Sequence, residues 1–306
     1  MNDANDPRNP CNDNDELLFN GLLCAGRDPR GCAAVVASQD PNTGQMYRNP
    51  QYRIRNMRDP ANGGDFSPDM ALGVQIYALT TGDHDRFFRW LQWLDLINGC
   101  GTEVFGRCID FTPPLFCPNN RNCTIRPGDA ATLARTVEHL EATYGMRGLD
   151  QLPNGRLRGY LGTWKNWGEQ MNFWGSIVAS CGYSQHIGYT VALIHRLTGS
   201  NLLDPAARGQ SNNPCNVTTD ARGARIGNAF FDMMGGHPRQ QIVSDILYAC
   251  PSEATDRREL PSTWHWENEI TDASFRRPNL WGCIFAAATI GIMPAAREEK
   301  PPQVQE

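Results

Sequence analysis

The most chemically dense stretch of the sequence is a run of aromatic and acidic residues, Trp264-His265-Trp266-Glu267-Asn268-Glu269. Glycoside hydrolysis needs two carboxyl groups flanking a sugar, together with aromatic faces that stack on its C–H surface and exclude water. Glu267 is therefore predicted to be a catalytic acid, and Trp264 and Trp266 are predicted to bind substrate. The alternative interpretation is a loop whose tryptophans anchor it to the core while its acids face solvent.

A second cluster lies in the middle of the chain. It combines tryptophans with an acid, an amide, a phenol and an imidazole: Trp164, Trp167, Glu169, Asn172, Trp174, Tyr183 and His186. A polysaccharide lyase needs a base to remove a proton beside a uronate, a Tyr or His to protonate the leaving oxygen, and a group that neutralises the carboxylate. Tyr183 and His186 are predicted for the proton transfers and Asn172 for substrate binding. A core position for His186 is the alternative.

The remaining members of this cluster suit a hydrolase. Glu169 is predicted to be an acid or base, and Trp164 and Trp167 are predicted to stack on the substrate. The sequence predicts the same general activity by either route, since both routes act on a glycan.

A third candidate is a pair of carboxylates, Asp65 and Asp69, at a predicted helix start, Phe66-Ser67-Pro68-Asp69. Ser67 fits the N-cap, and Pro68 and Asp69 fit the first turn. Such an acid normally caps the helix or forms an ion pair. Because a rigid element also positions an acid well for catalysis, Asp69 is predicted as a general base or sugar-hydroxyl ligand. Arg53, in a segment rich in Arg and Tyr, is predicted to bind an anionic sugar, with a solvated surface as the alternative.

Missing signatures exclude several classes of protein. The sequence contains no Walker P-loop, no dinucleotide-binding glycine motif after a strand, no zincin motif, no EF-hand loop and no kinase motif set. His265 and Glu269 would share a helix face, but two ligands do not make a metal site, so we predict no metal or other cofactor. A net charge of −5 argues against nucleic acid as the main partner. No apolar run reaches the roughly 18 residues of a membrane helix.

Eleven cysteines are many for a reducing compartment. No C-x-x-C occurs, and several cysteines are closely spaced: Cys24 with Cys32, Cys100 with Cys108, and Cys117 with Cys123. The spacing predicts at least two disulfides, one of them within residues 100 to 123. We therefore expect an extracellular or virion-associated protein. Because no charged start followed by an apolar segment is present, the chain is expected to be cytosolic, a mature form, or exported by another route such as assembly into a virus particle. An intracellular protein carrying structural thiols is the alternative.

The elements that must position these residues are predicted to be mainly helices. Residues 70–80 are apolar on nearly every face, which is typical of a helix buried all round. A second helix is predicted over 83–97, after a Gly82 turn that makes the two an antiparallel hairpin. A third helix is predicted to be capped by Asp129 and closed by a left-handed Gly145. Further helices are predicted over 184–197, 222–234, 238–250 and 280–292.

Strand signals are scarce, so strand should stay below about 12% of residues and helix should exceed about 40%. A small hairpin is predicted from residues 53–55 and 155–162. Long loops are predicted over 98–127, 146–167, 199–221 and 251–279, and some of them are expected to line a site. We predict a polar arm over residues 1–16, one α-helical domain over 17–295 and a polar tail over 296–306.

Buried helices that alternate with Gly turns and long aromatic loops are typical of an α/α toroid or a globular multi-helix array. The Phe66-Ser67-Pro68-Asp69-Met70-Ala71-Leu72-Gly73 helix start, the Trp-rich second helix and the 264–269 run resemble parts of α/α-toroid carbohydrate-active enzymes. The resemblance implies an all-α fold whose helical hairpins present acids and aromatics in one cleft. It implies no individual catalytic residue.

The combined prediction is a glycan-acting enzyme, either a glycoside hydrolase or a polysaccharide lyase, that works outside the cell or is carried on a phage particle. Its predicted partner is a polysaccharide, with other virion subunits as further partners and no membrane or nucleic acid. The alternative is a non-catalytic virion, assembly or glycan-binding protein that uses the same aromatics to bind glycan or a neighbouring subunit.

Overall fold

The computed structural model describes residues 16–50, 53, 66–105, 107–108, 112–118, 123–146, 148–178, 183–200 and 287. Within these ranges the helices are α1 (Glu16–Ala25), α2 (Pro29–Ala37), α3 (Pro68–Thr81), α4 (His84–Ile97), α5 (Pro127–Tyr144), α6 (Arg156–Val178) and α7 (Tyr183–Leu197). A short 3₁₀ helix covers Leu149–Gln151. The strands of the described part are two residues each, β1 (Glu103–Val104) and β2 (Arg107–Cys108), paired antiparallel. The predicted all-α class is confirmed.

The buried central helix, α3, begins and ends where the sequence predicts. Ser67 is its N-cap in extended conformation, Pro68 is its first residue and Asp69 lies in its first turn. It ends at Gly82, whose φ of 72° is a left-handed conformation. This conformation is unfavourable for residues with a Cβ, whereas glycine adopts it readily. Residues 70–79 are all buried. The absence of an exposed face explains why this helix lies at the centre of the described core.

Helices α1 and α3 cross with their backbones in contact. A Cβ added at Gly73 would lie 2.2 Å from the carbonyl oxygen of Leu17, and one added at Gly21 would lie 2.4 Å from the carbonyl oxygen of Gly73. The two glycines therefore permit an approach that no larger residue allows. Neither α1 nor α2 is predicted by the sequence patterns above.

An aromatic cluster fills the core beside α4. Trp90 stacks on Phe116, with ring centroids 6.0 Å apart and planes 7° from parallel, and Phe66 and Phe87 contact the edges of this pair. Phe116 belongs to a loop segment that the Cys117–Cys123 disulfide closes. The disulfide fixes the loop that delivers this aromatic ring to the core.

The described disulfides agree with the spacing of the cysteines. Cys24 at the end of α1 is bonded to Cys32 in α2, and Cys117 is bonded to Cys123, which is the predicted bridge within residues 100 to 123. The side chain of Cys108 lies outside the described residues, so its pairing with Cys100 stays a prediction. Two bridges indicate a non-reducing environment. None of the helices in the described ranges has the length and apolar run that crossing a bilayer requires.

The predicted loop and hairpin before Trp164 are wrong, because α6 begins at Arg156 and includes most of that segment. Its start is held by a residue from another helix. The buried carboxylate of Asp95, in α4, accepts hydrogen bonds from the backbone N–H groups of Asn154, at 2.6 Å, and Leu157, at 3.4 Å. Tertiary capping of this kind leaves no local sequence signal.

Helix α5 also starts two residues before the predicted cap. Asp129 is its third residue, and its carboxylate accepts a hydrogen bond from the backbone N–H of Arg126, the N-cap, at 2.9 Å. The predicted left-handed end at Gly145 is confirmed. The helices predicted over 222–234, 238–250 and 280–292 and the polar tail lie outside the described residues, apart from residue 287, as do residues 1–15 of the predicted arm.

Candidate functional site

The candidate site is built on the packing of α6 against the first half of α5. A Cβ added at Gly168 would lie 2.0 Å from the carbonyl oxygen of Pro127, so the two backbones touch there. The side-chain amide of Asn172 donates to the carbonyl of Gly128, at 3.0 Å, and to the hydroxyl of Thr132, at 3.1 Å. Asn172, predicted to bind substrate, thus has its amide N–H groups in the helix contact.

Asp69 and Asp129 lie near each other, in the first turns of α3 and α5. The hydroxyl of Thr136 donates to the side-chain oxygen of Gln75 at 2.9 Å, which links the helices one or two turns further along. At their first turns, burial raises the pKa of Asp129, and the negative charge of Asp69 adds to this rise. The two helices therefore run in the same direction and present their acids together, each at the positive end of a helix dipole.

The carboxyl of Asp129 titrates near neutral pH. Burial is the main cause and raises its pKa to about 6, and the charge of Asp69 acts in the same direction. The hydrogen bond from the Arg126 backbone and the Arg126 guanidinium act against this rise. A carboxyl with this pKa can exchange a proton under mild conditions, which a general acid requires.

Aromatic residues of α6 lie beside the acid pair. The hydroxyl of Tyr160 donates to the carbonyl of Ile125 at 2.8 Å. Burial raises its pKa, and the nearby charge of Asp129 raises it further. Trp164 is half-buried and its ring centroid is 6.3 Å from that of Tyr160. Asp129 thus has a phenol nearby, and an indole lies next to that phenol.

Sequence reasoning gave Asp129 only a capping role and did not single out Tyr160. Asp129 does accept the backbone N–H of the N-cap, so the capping interpretation is correct as far as it goes. The sequence signal that could have singled out Asp129 is that it is an acid in the first turn of a helix, as Asp69 is. The interpretation of residues 155–162 as a hairpin concealed Tyr160.

Two charged residues in the middle of α6, Lys165 and Glu169, pair with α5. Glu169 accepts a hydrogen bond from Nε of Arg135 at 2.8 Å and a second one from its terminal nitrogen. Lys165 forms an ion pair with Glu138. Glu169, predicted to be a catalytic acid, is thus held in a half-buried ion pair between two helices.

The outer side of α6 exposes large apolar side chains. Trp167 is 70% exposed, Met171 is 50% exposed and Trp174 is 61% exposed. Their spacing of four and three residues places them on one face of the helix. Of the predicted tryptophans, Trp167 is therefore accessible to a ligand, whereas Trp164 packs partly against the core.

Five of the other predicted site residues have side chains outside the described part of the structure. Tyr183 and His186 lie in the first turn of α7, and their side chains are not among those described. Glu267, Trp264 and Trp266 lie outside the described residues.

Arg53 donates from Nε to the carbonyl oxygen of Ala37, so this nitrogen forms a structural contact with the end of α2. Over the described residues, no group of three His, Cys, Asp or Glu side chains is arranged to hold a metal ion.

A buried histidine lies near the same helices. His195 of α7 is 1% exposed, and its Nε2 has no hydrogen-bond partner within the described part of the chain. Burial lowers its pKa to about 4, and the charge of Arg135 lowers it as well. His195 is therefore neutral at physiological pH.

Comparisons of the chain with models of known protein families, with curated protein sequences and with solved structures found no match.

Proposed function

We propose that this protein is a glycan-acting enzyme whose catalytic acids include Asp69 and Asp129. The observation that carries the proposal is that these two carboxylates lie in the first turns of adjacent helices that run in the same direction, close enough for the charge of Asp69 to act on Asp129. Rigid elements hold catalytic groups more firmly than loops do. The paired acids are the minimum that glycoside hydrolysis requires.

The two acids differ in the role that each suits. Asp129, with a pKa of about 6, serves as the general acid that donates its proton to the glycosidic oxygen as the bond to the anomeric carbon breaks. Asp69 serves as the second carboxylate, which either activates the attacking water or attacks the anomeric carbon itself. Tyr160 and Trp164 form the aromatic wall beside them, and such rings exclude water and stack on sugars.

The residues predicted from sequence alone keep their place in the proposal. Glu267 is a further acid, with Trp264 and Trp266 as stacking residues of the same cleft. A lyase variant of the proposal assigns proton transfer to Tyr183 and His186 and substrate contact to Asn172 and Arg53. Because the amide nitrogen of Asn172 and Nε of Arg53 bond to protein groups, the hydrolase form is favoured.

The wider setting is also part of the proposal. The helical hairpins of the described part support an α/α-toroid arrangement of the kind that the resemblance implies. The two disulfides support work outside the cell or on a virus particle, since both are non-reducing settings. A non-catalytic assembly or glycan-binding protein is the second candidate, and the exposed apolar face of α6 is the observation that favours it.

The test is a screen of the full-length protein against neutral and uronate-containing polysaccharides. New reducing ends report hydrolysis, and ultraviolet absorbance of an unsaturated uronate reports a lyase. We expect Asp69→Asn and Asp129→Asn each to lower turnover by at least about 100-fold, the scale of lost acid/base catalysis. Glu267→Gln is expected to do the same if it shares the cleft.

Asp85→Asn is the matched control, because Asp85 is also a first-turn acid but lies 82% exposed on α4. Thermal melting of each variant separates lost chemistry from lost folding. Cleavage that survives both Asp69→Asn and Asp129→Asn would refute this assignment. If no polysaccharide is cleaved, the enzyme proposal fails and the non-catalytic candidate takes its place.

A further inference from the structure

The exposed side of α6 has a composition unlike an ordinary solvated helix face. Its exposed residues from 163 to 175 are Thr163, Asn166, Trp167, Gln170, Met171, Trp174 and Gly175, and we call this set the α6 face. An ordinary surface helix carries charged residues on its outer side. The α6 face has two tryptophans, two amides and no ionisable group.

The charged side chains of this helix segment lie toward α5 and form ion pairs there. Between residues 159 and 178 the ionisable side chains are Tyr160, Lys165 and Glu169. Lys165 is paired with Glu138, and Glu169 with Arg135, both toward α5. Tyr160 donates to Ile125. The α6 face therefore carries no charge of its own, and the charged side chains of this helix segment form ion pairs with α5.

The geometry points to the α6 face as a binding platform for an uncharged polysaccharide. Indole rings stack on the apolar C–H surface of pyranoses, and the side-chain amides of Asn166 and Gln170 both donate to and accept from sugar hydroxyls. Trp167 and Trp174 are separated by about 10.5 Å along the helix axis, a length on the order of a disaccharide. A single helix holds the two rings at this spacing without a hinge.

The neutrality of the platform selects its ligand. A uronate or sulfated glycan would need an accessible cation, and among the described residues of α5 and α6 the cations Arg135 and Lys165 are already paired. A second protein chain is a poorer occupant. A stable protein interface buries about 800 Å² on each partner, which two tryptophans and one methionine on one helix do not supply. This inference rests on the proposed function for its ligand class and narrows that class to uncharged glycans.

The experiment measures binding of the full-length protein to soluble hexasaccharides by calorimetry and by quenching of tryptophan fluorescence. The uncharged probes are cello-, xylo-, chito- and malto-hexaose, and the charged probes are hexameric galacturonate and mannuronate. Trp167→Ala and Trp174→Ala are each expected to weaken binding of at least one uncharged probe by about 10-fold or more, the scale of one lost aromatic contact. Gln170→Ala is expected to weaken it about 3-fold through lost hydrogen bonding.

Phe105→Ala is the matched control, because Phe105 is a fully exposed aromatic residue on the turn between β1 and β2 and is not part of α6. Binding by this variant should equal that of the wild type. The exposure of both tryptophans makes loss of folding an unexpected result, and melting curves check it for every variant.

Three outcomes would overturn the platform: no uncharged probe binds, charged probes alone bind, or binding is unchanged in both tryptophan variants. A fourth is a tryptophan-dependent change of sedimentation mass without glycan binding, which would make the α6 face a contact between copies of the chain. Cleavage is assayed in parallel. Cleavage without tryptophan-dependent binding defeats the platform alone, and tryptophan-dependent binding without cleavage defeats the proposed enzyme alone.

Discussion

The carboxylate of Glu169 in α6 accepts two hydrogen bonds from the guanidinium of Arg135 in α5, with side-chain exposures of only 16% and 23%. This ion pair lies on the side of α6 that contacts α5, whereas Trp167, two residues earlier, is exposed. The side of α6 that carries Glu169 therefore packs against α5, and the side that carries Trp167 is accessible. It also changes what a substitution at Glu169 should do.

Glu169→Gln is expected to lower the free energy of unfolding by about 1–3 kcal/mol, because a charge-assisted hydrogen bond is lost and Arg135 stays half-buried without its partner. Urea titration monitored by circular dichroism measures the change. Glu138→Gln, which breaks the more exposed pair with Lys165, should cost about 0–1 kcal/mol. A Glu169→Gln variant of unchanged stability but at least 100-fold lower turnover would instead support the catalytic role predicted from the sequence.

Asp129 should make stability fall as the pH rises. Its folded pKa of about 6 exceeds the ordinary value of 3.8, so the folded state holds its proton more tightly than the unfolded chain does. The contribution of Asp129 to stability is complete below about pH 4 and is lost as the pH rises through about 6. Asp129→Asn should remove this slope. From pH 4 to pH 7 the free energy of unfolding of this variant should fall less than that of the wild type. Urea midpoints measured at half-unit steps from pH 4 to 7 decide the matter.

His195 should produce a slope of opposite sign. Its folded pKa of about 4 is below the ordinary value of 6.5, so the unfolded chain binds a proton that the folded state does not. Stability should therefore decline as the pH falls from about 6.5 to about 4. His195→Gln should flatten this limb, and the double variant with Asp129→Asn separates the two contributions. If the His195 nuclear magnetic resonance signal titrates near 6.5 in the folded protein, the prediction is wrong.

Glycines of two helices should respond in opposite ways to alanine. Gly73→Ala is expected to destabilise the fold by several kcal/mol, on the order of the larger core substitutions, because its Cβ would overlap the backbone of α1. Gly162→Ala should stabilise it by about 0.5–1 kcal/mol, since a Cβ there meets no atom within 4 Å and alanine favours helix. Thermal melting of both variants tests the pair, and a stable Gly73→Ala protein would contradict the close crossing of α1 and α3.

Much of the local structure follows from the sequence because its signals lie within a few residues of one another. Ser67, Pro68 and Asp69 mark the start of α3, and Gly82 marks its end, since capping and left-handed turns depend on neighbouring side chains. The bond between Cys24 and Cys32 follows in the same way from short spacing. The all-α class follows from helical periodicity, which α3, α4, α5 and α7 each carry in their own residues.

Only the tertiary structure brought together residues that are far apart in sequence. Asp69 and Asp129 lie at the starts of different helices, and nothing in either segment indicates that α3 and α5 are neighbours. Asp95, from α4, caps the start of α6, and without that distant carboxylate the glycines at 155, 159 and 162 predict a hairpin instead.

The exposure of the tryptophans was also decided by packing. Trp164 and Trp167 are equally apolar, but the contact of Gly168 with Pro127 fixes which side of α6 meets α5. Trp164 is then partly buried and Trp167 is exposed. The sequence by itself determined that this segment would carry tryptophans, one acid and several amides, because composition is local. Which of them meet a ligand depended on the rotation of the helix, because burial is a property of the whole packed chain.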